Sequence, residues 1–245
     1  MDYQEVVERL KAMSRPEAVA GMARFGITPQ KIYGVSIPDL RRMAKEIGTD
    51  RELAARLWQD ETRETRILAS MVDDPRQVTE EQMDAWALEF DYWEICDQVC
   101  SNLFGRTELA YKKCFDWSKA KEEFVKRAGF VLMARLAVTE KEAPDAKFAL
   151  FMSLIKDGAI DERNYVKKAV NWALRQIGKR NYSLNKLALE TAQEIAEMPQ
   201  ASARWIARDA IRELESEKVQ EKVQPASFRV ILSPNGEVQD IKPYK

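Results

Sequence analysis

Three segments, KRAGFVLMARL, KKAVNWALRQI and ARDAIREL, align with a basic residue at Arg127, Lys168 and Arg208, about 40 residues apart. That period belongs to helical-hairpin repeats of the HEAT or armadillo kind. A single hairpin has nowhere to bury its apolar face, so successive hairpins stack into a curved solenoid whose inner helices line a concave surface. From Tyr3 to about Glu215 the chain reads as helices punctuated by caps, near 2–13, 15–25, 37–48, 50–59, 62–72, 79–89, 91–104, 107–117, 121–138, 144–156, 162–179, 183–197 and 201–215. Pro16, Pro38 and Pro144 stand where a first helical position is expected, Ser36 precedes Pro38 as a candidate cap, and Thr79 to Gln82 has capping-box spacing. Short connections make sequential helices antiparallel neighbours. The expected fold is therefore an all-α solenoid of HEAT or armadillo type over residues 1–215, with a C-terminal extension over 216–245. In that extension FRVIL and EVQDI flank a Pro234-Asn235-Gly236 turn signal, which reads as a small hairpin or an extended tail.

The chain contains no histidine, which excludes serine–histidine and cysteine–histidine nucleophile pairs and histidine general bases. Chemistry here has to run on carboxylates, lysines, tyrosines or electrostatics. Cys96, Cys100 and Cys114 are an odd number, which argues for reduced thiols. Cys96 and Cys100 lie one helical turn apart, but no histidine or further cysteine pair completes a zinc site, so no metal is expected. A net charge of −1 gives no global pull toward nucleic acid, so a nucleic-acid site has to come from local clustering. No apolar run reaches the length of a membrane span, and the N-terminus is acidic and amphipathic, so a cytoplasmic location without membrane association is expected.

The segment FDYWEICDQVC, Phe90 to Cys100, sets Trp93 and Asp97 one helical turn apart on a shared face. Tyr92, Ile95, Cys96 and Val99 fill the neighbouring apolar arc, which leaves Trp93 and Asp97 at the border of the buried stripe. A flat apolar plate beside an anion suits a ligand that is both flat and cationic. Later in the chain Trp172 has Lys168 four residues before it, Arg175 three after and Lys179 seven after, so one helical face carries an indole and three cations. Val166, Ala169, Val170, Ala173 and Ile177 take the opposite, buried side. The repeat register places Trp93, Arg127 and Trp172 on three successive inner helices.

These residues carry a resemblance to the AlkD family of HEAT-repeat DNA glycosylases, over about residues 20 to 215. The matching features are Ala23-Arg24-Phe25, a Gly34-x-x-x-Pro38 loop leading to Arg41-Arg42, Leu57-Trp58 followed by Arg63-Glu64, Tyr92-Trp93-x-x-x-Asp97, Arg127-Ala128, and Lys168-Ala169-x-x-Trp172-x-x-Arg175. The resemblance implies that Asp97 is the catalytic aspartate, that Trp93 and Trp172 are the cleft tryptophans, and that Arg127 and Arg175 contact DNA, with Lys168 and Lys179 on the same cationic face. It implies removal of N3- or N7-alkylated purines from double-stranded DNA, without a metal or other cofactor and without flipping the base into a deep pocket. The chain departs from the family pattern at Phe25, where a tyrosine can stand, and at the small Ser36 of the Gly34 loop. Two other functions fit the same solenoid. One is a non-catalytic binder of bent or branched DNA, which keeps the cations but not the need for the carboxylate, and the other is a scaffold for a protein partner.

Overall fold

The computed structural model describes residues 1–224, 228–232 and 238–243. Local capping starts many of its helices. In α1 (Tyr3–Ala12) the Asp2 carboxylate accepts from the Glu5 amide at 2.9 Å while the Glu5 carboxylate accepts from the Asp2 amide at 2.8 Å. Helix α2 (Pro16–Arg24) opens on its proline, and α3 (Ile37–Ile47) on Ser36, whose hydroxyl accepts from the Asp39 amide. Asp50 caps α4 (Arg51–Gln59) in the same way, and α5 (Arg63–Val72) follows. Thr79 caps α6 (Glu80–Leu88), but the Gln82 side chain turns to Asp73 at 2.6 Å, so that capping box is only half formed.

The chain continues through α7 (Trp93–Asn102), α8 (Ala110–Trp117) and α9 (Glu123–Thr139). The single helix expected over 144–156 is two, α10 (Asp145–Ala149) and α11 (Phe151–Ala159). They meet at exposed Leu150, with Phe148 and Phe151 buried on either side. Helices α12 (Asn164–Gly178), α13 (Tyr182–Ala196) and α14 (Ala201–Leu214) match the expected pattern closely. Beyond residue 215 the structure adds α15 (Glu217–Val223), whose Val219 and Val223 are buried as it packs on α14. Two apolar residues one turn apart within a charged run are a weak periodic signal, so this helix was hidden in the sequence. Strands β1 (Phe228–Leu232) and β2 (Val238–Pro243) pair antiparallel, with Phe228 opposite Pro243, which selects the hairpin over the extended tail. The Pro234-Asn235-Gly236 turn signal lies outside the described residues.

Helices α3, α5, α7, α9, α12 and α14 each pack on the next and form one layer of the solenoid. The second layer includes α4, α8, α11 and α13, each packed on the inner helix that follows it. One continuous apolar core runs between the layers from Val6 to Val223. The layers approach closely where small residues permit: a Cβ on Gly129 of α9 would stand 2.6 Å from the Ser118 amide nitrogen at the end of α8. Among the described residues no helix is long and apolar enough to cross a membrane.

Candidate functional site

On α7 the apolar arc is buried as expected, with Ile95, Cys96, Val99 and Cys100 fully enclosed and Trp93 and Asp97 at its half-buried edge. Trp93 is the first residue of the helix, and its indole Nε1–H donates to the Phe25 carbonyl at 2.8 Å. Phe25 closes α2 and is 76% exposed. The chain then turns at Gly26, whose φ is +75° and where a Cβ would stand 2.8 Å from the Tyr165 hydroxyl oxygen. Glycine suits that point because of the left-handed backbone, and the missing side chain leaves room for the Tyr165 hydroxyl.

Arg127 of α9 donates two hydrogen bonds to the Asp97 carboxylate, from Nε at 2.9 Å and Nη2 at 2.8 Å, and a third from Nη1 to the Tyr165 carbonyl at 2.7 Å. One guanidinium thus ties α7, α9 and α12 together. Phe25, Trp93, Asp97, Arg127, Tyr165 and Lys168 line an open cleft of about 570 Å³, with Arg24, Gly26 and Asn164 completing it. Burial pushes the Asp97 carboxyl above the ordinary carboxylate range, and Arg127 offsets part of that push. Burial also works against the Arg127 charge, but the field and hydrogen bonds of Asp97 more than compensate, so the guanidinium stays protonated. A charged carboxylate at a cleft wall, held in one orientation by a bidentate arginine, is suited to stabilising a positive charge that develops in front of it.

The expected site residues divide into two groups. Trp93, Asp97, Arg127 and Lys168 converge on the cleft. Arg127 does not project into solvent as a phosphate hand, because it is buried and three of its hydrogen bonds go to Asp97 and Tyr165. Trp172 is half-buried against the core and is not among the residues lining the cleft. Arg175 pairs with Glu213 and lies 3.5 Å from Asp209, and Lys179 donates to Glu213 at 2.6 Å, so carboxylates of α14 hold both cations in the free protein. The face of α12 opposite these cations behaves as expected: Val166, Ala169, Val170, Ala173 and Ile177 are all fully buried.

The Gly34 and Arg63-Glu64 motifs turn out to be structural. The Glu64 carboxylate accepts from the backbone amides of Tyr33, Gly34 and Val35 at 2.9, 2.9 and 3.1 Å, and Gly34 has a φ of +80°. Arg63 donates to the Val35 carbonyl and, twice at 2.7 Å, to Glu94. This network is fully enclosed and anchors the loop before α3 to α5 and α7.

A family model described as DNA alkylation repair enzyme matches residues 6–214. The chain belongs to that family. An uncharacterized protein of Listeria innocua (serovar 6a) is 19% identical over 200 residues, which cover 80% of this chain and 87% of that protein. Among solved structures, one of a new family of proteins related to the HEAT-like repeat DNA glycosylases with affinity for branched DNA structures superposes with a TM-score of 0.72. It is 19% identical and covers 86% of this chain and 95% of its own, a likeness that shows the fold. For this member of the DNA alkylation repair family, motif reading missed Gly26, Asn164 and Tyr165 in the cleft. Gly26, directly after the Phe25 of a recognised motif, was the one local signal available. Tyr165 takes part through its backbone carbonyl, which its residue type does not announce.

Proposed function

We propose that the protein is a DNA glycosylase that hydrolyses the N-glycosidic bond of cationic N3- or N7-alkylpurines in duplex DNA. The observation that carries this reading is the Asp97 carboxylate, oriented by two hydrogen bonds from Arg127 at the wall of an open cleft beside Trp93. Cleavage of an N-glycosidic bond passes through an oxocarbenium-like sugar, whose developing positive charge a nearby carboxylate stabilises. A purine alkylated at N3 or N7 already carries positive charge and leaves as a neutral base, so little or no general acid is needed, and a chain without histidine can run the reaction. Asp97 faces the sugar and aligns the attacking water, while the Trp93 face favours the cationic sugar or base by roughly 1–2 kcal/mol where water is excluded. Lys168 at the rim takes a phosphate and positions the duplex without reading its sequence. In this reading Trp172 supports the cleft from the neighbouring turn of α12, and Arg175 and Lys179 reach phosphate only after exchanging their α14 carboxylates for it.

A second reading is non-catalytic binding of branched DNA. It is supported by the pairing of Arg127 with Asp97, which also makes sense as a purely structural bridge, and by the branched-DNA affinity of the structurally similar proteins. Release of free methylpurine from methylated duplex DNA under single-turnover conditions separates the two readings. Wild-type release that Asp97→Asn slows by roughly tenfold or more supports the glycosylase. No release by folded wild-type protein that still binds DNA selects the second reading.

A further inference from the structure

A ladder of aromatic and basic side chains crosses the inner layer and ends on a rung that the cleft does not use. Phe124 stands three residues before Arg127 on α9, Tyr165 three before Lys168 on α12, and Trp205 three before Arg208 on α14. That spacing sets an aromatic side chain one turn from a cation on the same face of each helix. The first two rungs are engaged, with the Phe124 and Tyr165 rings 5.4 Å apart, Arg127 bonded to Asp97, and Lys168 at the rim of the cleft.

The last rung is open. Trp205 is 38% exposed, and Lys167 of α12 places its ammonium 5.0 Å from the indole ring centre. Arg208 is exposed and forms no salt bridge among the described residues. The adjacent Asp209 does not neutralise it, because that carboxylate is taken by Asn171, Arg175 and Arg212. A partly exposed indole with the Lys167 ammonium over its ring and the exposed Arg208 one helical turn along matches a nucleotide in chemistry, with an aromatic surface for a base and positive charge for its phosphates. Bases within a duplex already stack on one another, so the occupant that uses the indole is an unpaired nucleotide.

We propose that Trp205, Arg208 and Lys167 form a strand-exit site, which holds an unpaired nucleotide where a single strand leaves the duplex lying in the cleft. This rests on the DNA-binding reading of the cleft. Three inner-helix steps of roughly 8–10 Å separate α7 from α14, so the exit lies roughly 25–30 Å from Asp97. At 3.4 Å per base that is about eight base pairs.

The test compares binding of an undamaged duplex with binding of the same duplex carrying a single-stranded thymine arm. Wild-type protein should bind the armed duplex several-fold more tightly. Trp205→Ala should remove that preference while keeping duplex affinity and thermal stability, and Trp205→Phe should restore part of it. Arg208→Gln should weaken binding of the armed duplex and lower its salt dependence by about 0.7 of a slope unit, the value for one single-strand phosphate contact. A wild-type protein with equal affinity for both DNAs, or a Trp205→Ala protein that keeps the full preference, overturns the exit site. Failure of the folded wild type to bind either DNA is a different result, and overturns the DNA reading of the cleft itself.

Discussion

Helix α7 carries two arginine–carboxylate bridges of nearly identical construction in different surroundings. Glu94 receives two bonds from Arg63 of the preceding inner helix, 31 residues away, and Asp97 receives two from Arg127 of the following one, 30 residues away. The Arg63 and Glu94 side chains are 2% and 8% exposed, and Arg63 also supports the Gly34 loop through the Val35 carbonyl. Asp97 is 16% exposed and faces a cleft. The pair geometry is the same in both, so it cannot by itself mark a functional carboxylate. What distinguishes them is the open space in front of Asp97, which a ligand can enter and which Glu94 lacks.

The largest expected effect falls on the enclosed bridge. Arg63→Ala leaves Glu64 and Glu94 buried without their cation, so urea or thermal denaturation should show a loss of about 3–5 kcal/mol. Asp97→Asn should cost clearly less in the same melt, because the cleft admits water to the unpaired Arg127. Equal losses for the two variants would erase the distinction between the bridges. In single-turnover excision the same Asp97→Asn protein should slow by roughly ten- to a thousandfold, about 1.4–4 kcal/mol of transition-state stabilisation.

The comparison sharpens with pH. The Asp97 pKa is raised by burial, so acidification protonates it at a higher pH than an ordinary aspartate, and excision should begin to fall above the usual carboxylate range. Stability should respond oppositely at this group: its folded pKa lies above its unfolded value, so ionisation costs stability at neutral pH, and the cost is relieved as pH drops through the folded value. Glu213 has the reverse sign. Burial would raise its pKa, but Lys179 and Arg175 hold it below the ordinary range, so its contribution is present above the unfolded pKa and lost as pH falls through the folded one. A pH–rate profile that falls only in the ordinary aspartate range would remove Asp97 as the titrating group.

The smallest effect concerns the α14 carboxylate. Glu213→Gln frees Lys179 and leaves Arg175 with Asp209 alone, so duplex binding should tighten by a few-fold and the salt dependence should steepen by about one slope unit. Unchanged binding at every salt concentration would show that neither cation meets DNA.

Much of this was legible in the chain itself, because it is written in local physics. Helical periodicity, prolines near helix starts and Ser36 and Thr79 at caps act within four residues of one another, and the buried arcs of α7 and α12 follow from the periodicity directly. The 40-residue period then dictates stacking, because each hairpin needs its neighbour to bury an apolar face. That is enough for the solenoid and for setting Asp97 beside Trp93. Only the tertiary structure decided what each cation meets. Arg127, Lys168, Arg175 and Lys179 look alike in sequence, yet Arg127 faces Asp97, Arg175 and Lys179 face Glu213, and Lys168 faces solvent at the cleft rim. Those partners arrive from helices 30 to 38 residues away, at a rotation set by side-chain packing between the layers, and no spacing along one helix encodes that rotation.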